Sequence, residues 1–98
     1  MYLEGMGPRQ SIASEVLDTI KFGALDLIKG AGSYSKKLID KGDAYVIPFG
    51  TSKNFYGAVI VRNPKSIEVR YIVNQKKQSY FSKSCDDTKR FLVRNFIQ

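Results

Sequence analysis

Residues Phe55–Arg62 are apolar on both alternating faces. A strand of that kind needs cover on both sides, so it belongs inside a sheet. The cluster Asn63-Pro64-Lys65-Ser66 follows, a dense run of turn formers. Residues Ile67–Asn74 then alternate, with Ile67, Val69, Tyr71 and Val73 on one side and Glu68, Arg70, Ile72 and Asn74 on the other. Two such runs joined by a tight turn predict an antiparallel hairpin. The remaining elements must be arranged around it.

Ala44–Phe49 supplies a further strand, with Tyr45, Ile47 and Phe49 on one side. Its Pro48 has no N–H to donate, which predicts an edge position or a bulge. Gly50–Asn54 reads as the connecting hairpin loop. Gln75–Lys83 is polar and basic, broken by Tyr80 and Phe81, and fits either a mobile loop or a fourth strand.

Helices flank these strands. Ser11 is placed to cap a helix from Ile12 to about Lys29. Ile12, Ala13, Val16, Leu17, Ile20, Ala24, Leu27 and Ile28 would fall on one face. Phe22 and Leu25 lie outside that stripe. Gly30 and Gly32 end the helix, and Ser33 then predicts a short helix Tyr34–Lys41, stopped by Gly42. Ser84 predicts the cap of a last helix, Cys85 to about Phe96. Asp86 and Asp87 open it and Lys89, Arg90 and Arg94 follow, an order that suits the helix dipole. Cys85, Thr88, Phe91, Leu92 and Phe96 would form its buried face.

The expected fold is α+β. An N-terminal amphipathic helix and a C-terminal helix pack on the same face of a three- or four-stranded antiparallel meander. Ninety-eight residues suit one domain, read as 11–98 with a flexible arm at 1–10. The arm resembles neither a signal peptide nor an anchor. No apolar run approaches the roughly 20 residues that span a bilayer. Cys85 is the single cysteine, which excludes an intrachain disulfide and favours a reducing, cytoplasmic setting. The absence of histidine removes His-dependent triads and nearly all zinc sites. Cys85 reads as a small buried hydrophobe. No catalytic residue, metal or cofactor is assigned, and the chain is read as a non-enzyme.

Charge is distributed unevenly. Residues 1–49 hold six basic and six acidic side chains, whereas residues 50–98 hold ten basic and three acidic. The whole net charge of +7 therefore lies in the second half. A one-sided positive field is the footprint of a polyanion binder. The expected partner is nucleic acid. Arg62, Arg70, Lys76, Lys77 and Lys83 would meet phosphates, and Tyr56, Tyr80 and Phe81 would stack on bases. Tyr56, Arg62 and Arg70 are expected on one outward sheet face. The alternative is a regulatory or inhibitory module docking on an acidic protein surface. Phe22, Leu25, Ile72 or an edge strand at Pro48 would then make contact. No membrane partner is expected, and the oligomeric state is left open.

Three motifs bear on these readings. Lys53-Asn54-Phe55-Tyr56-Gly57-Ala58-Val59 is similar to the fingerprint strand of RNA-recognition domains. It departs at Asn54 and Tyr56, and the element order is wrong for that fold. The order helix–three strands–helix over Ile12–Ile97 resembles the double-stranded-RNA-binding domain and the small signal-recognition-particle subunits that bind Alu RNA. The Lys-Lys-x-Ala-Lys signature of the former is absent, for the last helix opens Lys83-Ser84-Cys85-Asp86-Asp87. Finally, Ile67-Glu68-Val69-Arg70 resembles the Glu-x-Lys strand of PD-(D/E)xK nucleases. That resemblance would imply magnesium held by Glu15, a strand Asp and Glu68. Here Phe55–Arg62 lacks a carboxylate, Gly57 stands about where the Asp belongs, and Arg70 replaces the Lys. Asp43 is the other candidate, which leaves a degenerate nuclease-like relative as the third reading.

Overall fold

The hairpin expected at residues 55–74 forms the middle of the sheet. Strand β3 (Phe55–Asn63) pairs antiparallel with β4 (Ser66–Val73), with Val59 opposite Val69 and Val61 opposite Ile67. The turn closes where the Asn63 side-chain oxygen accepts from the Lys65 N–H at 2.9 Å. The computed structural model describes residues 8–22, 35–40, 42–50 and 55–97.

Three further strands extend the pair. β2 (Gly42–Gly50) lies beside β3, and β1 (Ser35–Ile39) lies beside β2. β5 (Lys76–Ser82) lies beside β4. The order is β1-β2-β3-β4-β5, antiparallel throughout, so the meander has five strands among the described residues rather than three or four. Helices α1 (Pro8–Phe22) and α2 (Cys85–Phe96) complete an α+β domain. The order helix–five strands–helix departs from the helix–three strands–helix pattern of the RNA-binding domains named above.

Several elements correct the expectations. Residues 35–39 are a strand, not part of a helix at 34–41: Lys36 faces Tyr45 and Lys37 faces Ala44 across the ladder. Asp40 then adopts a positive φ of 52° in the turn to Gly42, a conformation Asp tolerates better than most residues. Residues 76–82 are a strand, the second of the two readings open for this segment, and not a mobile loop. Pro48 lies in β2, which has neighbours on both sides, so it does not mark an edge strand. The described pairing of β2 with β1 stops at Val46, and a bulge follows at Phe49/Gly50, which accommodates the missing donor. Helix α1 begins at Pro8, ahead of Ser11. A proline in the first turn loses no intrahelical bond. Residues 8–10 of the expected arm are thus helical. The rest of the arm, the helix continuation to Lys29 with Leu25, and the loop at 51–54 lie outside the described residues.

One sheet face and both helices form the core. Ile47, Phe49, Val59, Val61, Ile67 and Val69 meet Ile12, Ala13, Val16 and Ile20 of α1 and Phe91 and Leu92 of α2, all buried. Each fully buried aliphatic or aromatic side chain contributes about 1.5–3 kcal/mol. Ser84 caps α2 as expected, its hydroxyl accepting from the Asp87 N–H at 3.0 Å. Aromatic packing fixes the far end of that helix. Phe91 stacks on Tyr80 at 4.1 Å between ring centroids, and Phe96 meets Phe49 edge-on at 5.0 Å.

Candidate nucleic-acid interface

Period-two alternation divides the candidate residues between two faces. Arg62, Arg70, Lys77 and Phe81 share the outer face, away from the helices, in register with Ile60, Glu68, Ile72 and Ser79. Tyr80 lies on the helix face: its hydroxyl donates to Asp87 at 2.8 Å, and its ring is engaged by Phe91. Lys76 occupies that same parity but is exposed at the sheet margin. Tyr56 was expected on the outer face. The Phe49/Gly50 bulge leaves it between two paired residues, and it stacks on Phe96 at 5.7 Å on the helix side. Lys83 is exposed in the link to α2.

The outer face is not flat. Asp40, in the β1–β2 turn, accepts hydrogen bonds from side chains on β3 and β4. Its Oδ2 accepts from Arg62 on β3 at 2.7 Å and from Arg70 on β4 at 2.6 Å. In a flat sheet the turn and β4 would be about 12 Å apart across the strands. The β1–β2 arm therefore curls over the outer face. Ala44 and Ile60, which point to that side, are buried as a result.

Glu68 sits beneath this arm, 5% exposed. Arg62 reaches its Oε1 at 3.0 Å and Arg70 reaches its Oε2 at 3.1 Å. Burial pushes the Glu68 carboxyl up, but the hydrogen bonds from Arg70 and Arg62 outweigh it and hold the group below its usual range. Arg70, followed by Arg62, likewise lowers Asp40. Two carboxylates and two guanidinium groups alternate in one closed cluster with no net charge. Arg62 and Arg70 thus differ from the expected free phosphate ligands. Arg70 alone keeps an open flank, its side chain 42% exposed.

Beyond the arm the outer face opens. A groove of about 430 Å³ is lined by Ala58, Arg70, Ile72, Lys77 and Ser79, with Tyr71 and Gln78 at its margin. Lys77 has no ion pair among the described residues. Phe81 stands on the same face of β5, two residues beyond Ser79, and is 73% exposed. The structure therefore gathers Arg70, Lys77 and Phe81, holds Arg62 in the ion cluster, and sends Tyr56 and Tyr80 to the other side.

The nuclease-like carboxylates do not converge. Glu15 lies on α1 and faces Lys89 at 3.5 Å. Asp43 is held by Arg9 and Lys36, both at 3.1 Å, and hydrogen bonds from these two lower it to about 2. Glu68 is on the opposite sheet face. No group of acidic, Cys or His side chains among the described residues could hold a metal ion. The Cys85 thiol is pushed up to about 11, first by burial and then by the Glu15 charge, which keeps it protonated near neutral pH. No helix among the described residues is long and apolar enough to cross a membrane.

Asp40 is the member of the site that sequence reasoning missed. Its one local signal is the Asp40-Lys41-Gly42 turn signature, which places the turn but not the reach of the carboxylate. Comparison with protein-family models, with curated proteins and with solved structures returned no match to this chain.

Proposed function

We propose that this protein binds single-stranded nucleic acid, without catalysis, on the open outer face of β3–β5. The observation behind this reading is Phe81. An aromatic ring 73% exposed on a strand of otherwise small or polar residues has no packing role in the domain. A flat ring presented on a sheet is a stacking platform for an unpaired base. Lys77 and the open flank of Arg70 lie on the same face, at the spacing of neighbouring ladder positions, where they meet phosphates. Lys76 and Lys83 add to the field from the ends of β5. Bases in a duplex are already stacked, so single strands fit this surface better.

The test is binding of labelled single- and double-stranded DNA and RNA across a salt series. Single-strand binding should weaken linearly in log–log form, with a slope of about −2 to −3 for three or four phosphate contacts. Charge reversal at Lys77 and Lys83 should flatten that slope. Phe81→Ala should lower affinity about 5- to 160-fold with the slope unchanged, since a stacked base is worth roughly 1–3 kcal/mol. No binding tighter than millimolar at low salt, or indifference to Phe81→Ala, rejects the reading. The second reading is docking on an acidic protein surface. It draws on Ile72 and Val73, which are 43% and 44% exposed where β4 turns into β5, at the other end of the hairpin from Phe81. An Ile72→Asp variant that abolishes capture of a protein partner while nucleic-acid binding is absent would favour it.

A further inference from the structure

The basic side chains of α2 do not all face one way. Lys89 turns toward α1, where it meets Glu15 at 3.5 Å, and it also holds Asp86 at 3.5 Å. At about 100° per residue, Arg90 and Arg94 lie on the opposite flank together with Asp87. The Asp87 carboxylate accepts from the Tyr80 hydroxyl of β5 at 2.8 Å, so that flank is the one beside β5. The same hydrogen bond raises the Tyr80 hydroxyl above its usual range, and the Arg94 and Arg90 charges oppose the rise, as their position next to it requires. Both arginines are exposed, and neither has an ion pair among the described residues. We infer that Arg90 and Arg94 form a second phosphate-binding site, and that a single strand seated on the outer face continues around the margin of β5 to reach it.

The fold itself gives the pair no return. Arg94 is in the last turn of α2, where a cation suits the dipole, but Arg90 is a full turn earlier. Like charges four residues apart on a helix repel. A phosphate between them replaces that repulsion with charge-assisted hydrogen bonds, and the planar guanidinium fork matches its oxygens.

The positive field runs from one face to the other without a break. Lys77 stands on the outer face, Lys76 and Lys83 stand at the two ends of β5, and Arg90 and Arg94 stand on the helix side. Two carboxylates lie near this path. Asp87 is bonded to Tyr80, and Asp86 is held by Lys89 toward α1. The path leaves Phe81 and Lys77 to the strand and lengthens the surface proposed above, on which it rests. It also demands a flexible ligand: duplex DNA has a persistence length of about 150 base pairs and does not fold around the margin of one sheet, whereas a single strand does.

Labelled oligothymidylates of about four and about twelve nucleotides, both within the range of single-strand site sizes, separate the two surfaces. The short one covers the outer face alone. The long one also reaches α2, and two further phosphate contacts should steepen its salt slope by about 1.4. Arg90→Gln/Arg94→Gln should erase that increment and weaken binding of the long oligonucleotide about tenfold or more at roughly 0.1 M salt, with the short one bound as before. Lys21→Gln/Lys89→Gln removes the same amount of charge from α1 and from the α1 side of α2, and should keep the increment. Equal slopes for the two lengths, an increment that survives Arg90→Gln/Arg94→Gln, or equal loss in the Lys21→Gln/Lys89→Gln control overturns the inference and leaves the outer-face site standing. Binding of neither length rejects the outer-face reading, and this inference with it.

Discussion

Gly57 is pressed against the backbone of β4. A Cβ there would fall on the Arg70 carbonyl oxygen and within 2.8 Å of the Tyr71 Cα. Both obstacles are backbone, so no side-chain rotation relieves them. Gly57→Ala should destabilise the domain by roughly 3 kcal/mol, as overpacking that moves a central strand does. Urea denaturation with an unchanged m-value measures it, and a loss below about 0.5 kcal/mol would contradict the geometry. In the sequence this glycine stood out in the RNA-recognition-like segment and as a missing nuclease carboxylate, but not for its packing, because the approach of β4 is invisible in one dimension. Tyr56 is a similar case. Strict alternation sends it outward, and only the bulge opposite Phe49 and Gly50 turns it under α2. Glu68 and Arg70 were legible as outward neighbours on one strand. Their partners were not, because Asp40 is 30 residues from Arg70.

The β4–β5 hairpin turns through Asn74 and Gln75, whose φ values are both positive, 50° and 66°. That geometry is favourable in a two-residue hairpin because it matches the strand twist, and it suits Asn followed by Gly. Gln75 bears a side-chain penalty that glycine avoids. Gln75→Gly should stabilise the protein by about 0.5–1 kcal/mol, seen as a rise in Tm of roughly 2–8 °C for a domain of this size. A fall in Tm would mean that the Gln75 side chain makes a contact worth more than the strain. The elements that could be read in advance are those with an apolar face of their own: α1, α2, β2, β3 and β4. The Ser84 cap was legible for the same local reason. Strands β1 and β5 present Ser35-Lys36-Lys37-Leu38-Ile39 and Lys76-Lys77-Gln78-Ser79-Tyr80-Phe81-Ser82, with no apolar stripe to reveal their period. Ladder pairing with β2 and β4 makes them strands, and that pairing is a tertiary fact.

Three carboxylates tie distant parts of the molecule together. Asp43 joins α1 to β2 through Arg9, and Asp40 joins the curled arm to β3 and β4. Glu68 locks the two arginines beneath that arm. All three are lowered by these partners, Asp43 to about 2 from an ordinary 3.8. A carboxylate lowered by folding adds stability above its unfolded value and loses it as pH falls through the folded one. Stability should therefore stay nearly level from pH 7 to about 5, decline below about 4.5, and fall furthest toward pH 2. Repulsion acts in the same direction, because neutralising the carboxylates leaves sixteen lysine and arginine charges unopposed. Urea midpoints measured from pH 2 to 7 trace this curve. In Asp40→Asn the decline should be shallower and start from a lower plateau, since one of the three ties is already cut. A wild-type midpoint at pH 2.5 equal to that at pH 7 would show that these ion pairs do not hold the arm down.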